Sequence, residues 1–239
     1  MNAILIGYGR MGRMIEEMLI ARGHGISGIV DINRLSKPED VLEKADVIID
    51  FSHPNALGST LAYAAENRMP AVIGTTNLTD SDKALMKEAA LHAPILYSAN
   101  YALGVAVMKR ACQMLYGILG DDFDVEIIET HHNKKADAPS GTAKALADAI
   151  DPDQKLTRVY GRQGASGTRK KELGIHAVRG GTVAGEHKAM FFGEDEILEI
   201  RHEAASRRIF AKGAVCAAEK LKNLTPGLYS LEDILWEGA

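Results

Sequence analysis

The stretch AILIGYGRMG, residues 3–12, constrains the fold more than any other. A compact apolar run ends in glycines, and RMIEEMLIARG carries apolar residues at helical spacing up to Gly23, a C-cap. Gly7, Gly9 and Gly12 stand in the G-x-G-x-x-G spacing, directly after a strand and opening a helix. Such a loop needs Gly7 for its tight turn, Gly9 for close approach of a pyrophosphate, and Gly12 for packing helix on strand. The helix N-terminal amides then face the phosphates, with Arg10 in reach of them. A glycine-rich turn alone is common; here the context supports it. A second strand, GISGIVDI, ends at Asp31, where an acid takes the ribose hydroxyls of a dinucleotide. Asp31 favours an unphosphorylated ribose, whereas Arg34 and Lys37 can accommodate a 2′-phosphate, so NADH and NADPH both stay open.

The alternation continues through ADVIIDFS, HPNALGSTLAYAAENR, PAVIGTT, DSDKALMKEAALH and PILYSAN. Strand and helix in that rhythm predict an α/β fold with a Rossmann-type, doubly wound parallel sheet. The loops DFSHP, GTTN and SANY follow strands, and ligands of such sheets sit beyond the strands' carboxyl ends. Gly74, Thr75, Thr76 and Ala99 are small enough to let a nicotinamide approach the backbone. A longer helix is expected over residues 104–119, and beyond it the pattern changes. FDVEIIET reads as a strand, and residues 157–204 are rich in turns and short strands. They predict an α+β second domain with an open mixed or antiparallel sheet. IFAKGAVCAAEKLKNL returns to helix.

A formal net charge of −4 argues against a general nucleic-acid binder. No apolar run is long enough to span a bilayer, and the N-terminus has no leader pattern. Cys112 and Cys216 lie far apart in helix-like contexts, which predicts buried free thiols. A cytoplasmic protein is the expectation.

Residues 129–146, ETHHNKKADAPSGTAKAL, crowd two histidines and two lysines against a helix start. Pro139 suits the entry to a helix, and Ser140 or Thr142 can cap it. The amides around Ser140, Gly141 and Thr142 form an anion site, and Gly141 has no side chain to hold an anion off. His131, His132, Lys134 and Lys135 supply charge and transferable protons. This suits a small carboxylate substrate that is protonated as it reacts, with a histidine as general acid. A solvated basic turn fits the spacing equally well. No metal site is expected, since adjacent histidines without further ligands do not make one.

EIIETHHNKKADAPSGTA closely resembles the signature of bacterial dihydrodipicolinate reductases, E-x-H-H-x-x-K-x-D-A-P-S-G-T-A. GYGRMGR, DFS, GTT, SANY-x-x-GV, VRGGTVAGEH, SRRIFAKGA and GLYSLEDIL look like further motifs of that family, in its order. The resemblance implies a dinucleotide-binding domain at 1–102 and 211–239, with a substrate-binding and oligomerisation domain at 103–210 between them. It implies NAD(P)H-dependent reduction of a cyclic imine dicarboxylate, 4-hydroxy-tetrahydrodipicolinate, on the route to diaminopimelate and lysine, in a homotetramer. Carried over residue by residue, His131 is the general acid, Lys135 assists it, and His132 binds substrate. Ser140, Gly141 and Thr142 cradle a carboxylate. Gly7, Tyr8, Gly9, Arg10, Met11, Gly12, Asp31, Gly74, Thr75, Thr76, Ser98, Ala99, Asn100 and Tyr101 bind cofactor, with Arg207 approaching it.

The chain departs from the family pattern at Tyr8, a bulky residue in a shortened glycine loop, and at Ile32, where an arginine often follows the ribose acid. Ala102 and Asn77 also replace a common serine and glycine. Two rival readings are an amino-acid dehydrogenase of related architecture, such as an aspartate dehydrogenase, and a dinucleotide sensor without chemistry. The histidine–lysine constellation speaks against both.

Overall fold

Strands that are apolar along their whole length need cover on both faces, and helices with one apolar stripe supply it. The computed structural model, which describes residues 1–236, builds this arrangement in its first part. The chain divides into two compact units, one of residues 1–102 with 208 onward, the other of 103–207. Residues 237–239, part of the segment expected to complete the first domain, lie outside the described residues.

In the first unit, β1 (Asn2–Ile6), β2 (Gly25–Val30), β3 (Val47–Asp50), β4 (Ala71–Ile73) and β5 (Pro94–Tyr97) alternate with α1 (Arg10–Ala21), α2 (Pro54–Glu66) and α3 (Asp80–Ala89). After the second unit the chain returns as α6 (Arg208–Leu221), β11 (Gly227–Tyr229) and α7 (Leu231–Trp236). The strand order is β11-β5-β4-β3-β1-β2, and every pairing is parallel. The order reverses between β1 and β3, so their carboxyl ends flank the crevice where such sheets bind ligands. Every residue of β3 and β4 is buried. The edge strand β11, a three-residue segment too short to carry a period, was not expected from the sequence pattern. Helix α6 packs closely: a Cβ on Gly213 would lie 1.7 Å from the Tyr101 carbonyl oxygen.

The second unit opens with α4 (Leu103–Leu119), followed by β6 (Asp124–His131), α5 (Gly141–Ile150), β7 (Thr157–Val159), β8 (Glu172–Arg179), β9 (Glu186–Phe192) and β10 (Ile197–Glu203). The sheet order is β10-β9-β6-β8-β7. It is mixed: β6–β8 and β7–β8 run parallel, while β6–β9 and β9–β10 run antiparallel. The crossover through α5 returns the chain parallel to β6, whereas the tight connections around β9 make antiparallel neighbours. Along β6 burial alternates strictly, and Val125 and Ile127 point into a core shared with Met108, Leu146, Ile150 and Phe191. Glu129 and His131 continue that inward series. Two polar side chains thus sit where the pattern calls for core. Among the described residues, no helix is long and apolar enough to cross a membrane.

Candidate active site

In the first unit, the turn after β1 has Gly7 at φ +85°, a left-handed conformation that favours glycine. A Cβ there would come within 2.7 Å of the Ser52 Cα, so Gly7 lets β1 and β3 close at the switch point. A Cβ on Gly12 would meet the Gly7 carbonyl oxygen at 2.2 Å. Gly9 differs: a side chain there would meet nothing within 4 Å. It is the cap residue of α1, and no side chain caps the helix. Open space over uncapped helix amides fits a pyrophosphate. Asp31 follows β2 directly, and its Oδ2 accepts the Tyr8 amide at 2.9 Å, which ties acid and glycine loop together. Tyr8 does not fill the loop. Its hydroxyl bonds Glu16 on α1, and the Arg34 guanidinium stacks 4.2 Å from its ring centre.

Two cavities run along the carboxyl ends of these strands. One of about 800 Å³ is bordered by Gly7, Tyr8, Gly9, Asp31, Arg34 and Asn55. The other, about 350 Å³, is bordered by Met11, Gly74, Thr75, Thr76, Ala99 and Asn100. Phe51 and Ser52 border both. Most of the cofactor residues expected from sequence therefore converge here, and the donors and small residues fit a dinucleotide.

Several of these residues also make contacts within the fold. A Cβ on Gly74 would strike the Phe51 ring at 2.3 Å, so its smallness makes room for Phe51. The Tyr101 ring is buried and its hydroxyl donates to the Ile73 carbonyl at 2.8 Å. Thr75 is buried and donates to Asp50 Oδ1 at 2.9 Å. Ser98 bonds the Asn100 carbonyl at 2.8 Å, shaping the SANY turn. Arg10 is exposed, and Arg207 falls in the second unit.

The second unit gathers its polar groups around Glu129, whose side chain is fully buried. Its Oε2 accepts from His131 Nδ1 at 2.5 Å and from Arg179 Nη1 at 2.8 Å. Its Oε1 accepts from Arg179 Nη2 at 2.7 Å and from the Ser140 amide at 3.0 Å. Burial pushes the Glu129 carboxyl up, but the Arg179 fork, His131 and the Ser140 amide outweigh it and hold the group below the usual carboxylate range. The cluster follows from sheet register. His131 pairs with Arg179 across β6–β8, and Glu129 pairs with His187 across β6–β9.

Ser140 is the N-cap of α5, and its Oγ accepts the Ala143 amide at 3.1 Å. The same oxygen lies 2.9 Å from His187 Nε2. Burial, followed by the charge of His131, pushes His187 down to about 4, so at neutral pH its ring is uncharged. Ser140 is 2 % exposed, and its amide and hydroxyl are both engaged within the protein. Gly141 and Thr142 begin the helix, and a side chain at Gly141 would meet nothing within 4 Å. His132 keeps a buried Nδ1 without a hydrogen-bond partner among the described residues. Lys135 donates to Asp137 at 2.7 Å. Gly185 lies beside His131, where a Cβ would press on Nε2 at 3.0 Å.

The structure thus adds Glu129, Arg179, Gly185 and His187 to the residues expected from sequence. One signal was available. Glu129 and His131 are two apart on a strand, hence on one face. Arg179 and His187 reach the cluster only through register, which no local motif carries.

A glycine loop, an acid after β2 and small-residue turns at one sheet's switch point are the features of a dinucleotide-binding unit. The comparisons with known proteins agree. Residues 1–101 match the family model "Dihydrodipicolinate reductase, N-terminus" and residues 104–235 match "Dihydrodipicolinate reductase, C-terminus". A 4-hydroxy-tetrahydrodipicolinate reductase of Brachyspira hyodysenteriae is 42% identical over 98% of this chain and 100% of its own length. One of Caldanaerobacter subterraneus is 44% identical over 87% of this chain and 84% of its own. Among solved structures, a dipicolinate-bound dihydrodipicolinate reductase from Paenisporosarcina sp. TG-14 shares the fold with a TM-score of 0.78. It is 22% identical and covers 98% of both chains. The chain belongs to the dihydrodipicolinate reductase family.

Proposed function

We propose that the chain reduces 4-hydroxy-tetrahydrodipicolinate to tetrahydrodipicolinate, on the route to diaminopimelate and lysine. The observation that carries this reading is His131. It is a nearly buried imidazole held at Nδ1 by a carboxylate, on the strand that leads into an anion-binding helix end. In the first unit, the amides after Gly9, the carboxylate of Asp31 and the turns at 74–76 and 98–101 hold the dinucleotide. A nicotinamide bound there would supply hydride to ring C4 once the 4-hydroxyl has left as water. The resulting enamine is electron-rich and takes a proton, which His131 gives with Lys135 assisting. The amides of Gly141 and Thr142 hold one substrate carboxylate at the α5 N-terminus. His132, whose buried Nδ1 wants a partner, binds the substrate beside them. Fixing the substrate in this cradle supplies orientation that the free reactants lack.

His131→Gln tests the assignment. Turnover should fall about 10³-fold, with NADH affinity in a fluorescence titration unchanged. Turnover equal to that of the unaltered protein would remove His131 from the mechanism.

A further inference from the structure

Glu129 enters the reading above only as the carboxylate at His131 Nδ1, with no role of its own, yet it is the most densely bonded side chain of the second unit's polar cluster. Its carboxylate takes four donors: His131 Nδ1, both terminal nitrogens of Arg179, and the Ser140 amide. We infer that Glu129 is a positioning residue for the reduction, fixing the tautomer and orientation of His131 so that Nε2 is the atom that delivers the proton. The inference rests on the reading of His131 as proton donor and deepens it.

The chemistry of the donors carries the argument. An ionised carboxylate only accepts, so a contact of 2.5 Å to Nδ1 requires the hydrogen to be on Nδ1. Arg179 cannot lose its proton, and its two-pronged contact keeps the carboxylate charged and fixed. With Nδ1–H committed, the opposite ring nitrogen is the one that exchanges a proton with a ligand. Gly185 keeps that edge accessible, since a Cβ there would reach Nε2 at 3.0 Å. His187 packs edge-on to His131 with ring centres 5.2 Å apart. Its ring stays neutral at neutral pH, so it adds no imidazolium charge beside His131. The charge of Lys135 also acts in this cluster, while Asp137 pairs with it. A ring turned the other way would place carbon against the carboxylate and leave a buried charge underbonded.

Glu129→Gln keeps the volume and one acceptor oxygen for the Ser140 amide, but removes the charge that commits Nδ1. Its kcat should fall about 100-fold, with KM and the inhibition constant of pyridine-2,6-dicarboxylate within about threefold of the unaltered protein. A brace that merely stabilises the fold would give the same loss in any background. Made in His131→Gln, Glu129→Gln should therefore change kcat by less than about threefold, since the group it positions is gone. Additive losses, or a single variant with near-normal kcat, overturn the inference while leaving His131 as donor. If His131→Gln itself keeps full turnover, the parent reading has failed instead. Nitrogen-15 NMR of the ring nitrogens covers the case in which Glu129→Gln does not fold. In the unaltered protein His131 should carry hydrogen on Nδ1 at all accessible pH values. A neutral ring protonated on Nε2 alone would overturn the proposal.

Discussion

The two units build their sites by opposite means. At the cofactor end the working parts are largely backbone: a turn at Gly7, an open place at Gly9, helix amides, and short loops after β4 and β5. Side chains there mostly keep the turns in shape, as Thr75 does for Asp50 and Tyr101 for the end of β4. In the second unit the proposed site is made of side chains, and one carboxylate organises them. Glu129 joins His131, Arg179 and the start of α5, drawing on two neighbouring strands and a helix end. A backbone site fails when a side chain is added; a side-chain site fails when a charge is removed or neutral burial is disturbed.

The largest effect that separates the two concerns acid. His187 is 5 % exposed, and burial followed by the charge of His131 holds it at about 4, against 6.5 for the free group. The unfolded chain takes up a proton near pH 6.5 that the folded chain refuses until pH 4. This group's contribution is therefore full above pH 6.5 and lost as the pH falls to about 4, by about 3 kcal/mol. Denaturant unfolding of His187→Gln should show a shallower fall in stability across that window than the unaltered protein. Equal slopes would mean that His187 is not held neutral. Gly12→Ala comes next. Its Cβ would stand 2.2 Å from the Gly7 carbonyl, so the loop must shift. A loss of about 2 kcal/mol in stability is expected, together with weakened NADH binding and little change in the His131 ring resonances. Normal NADH affinity would mean that the glycine loop does not hold the dinucleotide. Thr142→Val is the smallest, about 1 kcal/mol in affinity for pyridine-2,6-dicarboxylate. Equal affinities would take Thr142 side-chain contact out of the cradle while leaving its amide.

The contrast also explains what could be read in advance. A backbone site is written in glycine spacing and strand–helix rhythm, so the position of Gly7, Gly9, Gly12 and Asp31 was legible, as was the doubly wound sheet. The roles of Gly74 and Tyr101 were not, because smallness or an aromatic at a strand end does not say what packs against it. Phe51 proved to be the neighbour of both. In the second unit the signature singled out His131, His132 and Lys135 as candidates, and it marked the start of α5, which the structure places at Gly141. The contacts of the Ser140 hydroxyl to the Ala143 amide and His187 were only half legible, since capping could be read and the strand register that brings His187 could not. Arg179 and His187 lie far along the chain from residue 129 and meet it only through strand register. The parallel return of β8 was likewise hidden, since turn-rich sequence between short strands looks alike whether the strands pair parallel or antiparallel.

The most direct test follows NADH and NADPH absorbance separately, with the substrate formed in place from pyruvate and aspartate semialdehyde by the preceding synthase. The account predicts oxidation that depends on the synthase and is inhibited by pyridine-2,6-dicarboxylate. Protein that binds either dinucleotide yet oxidises neither in the presence of that synthase would contradict it.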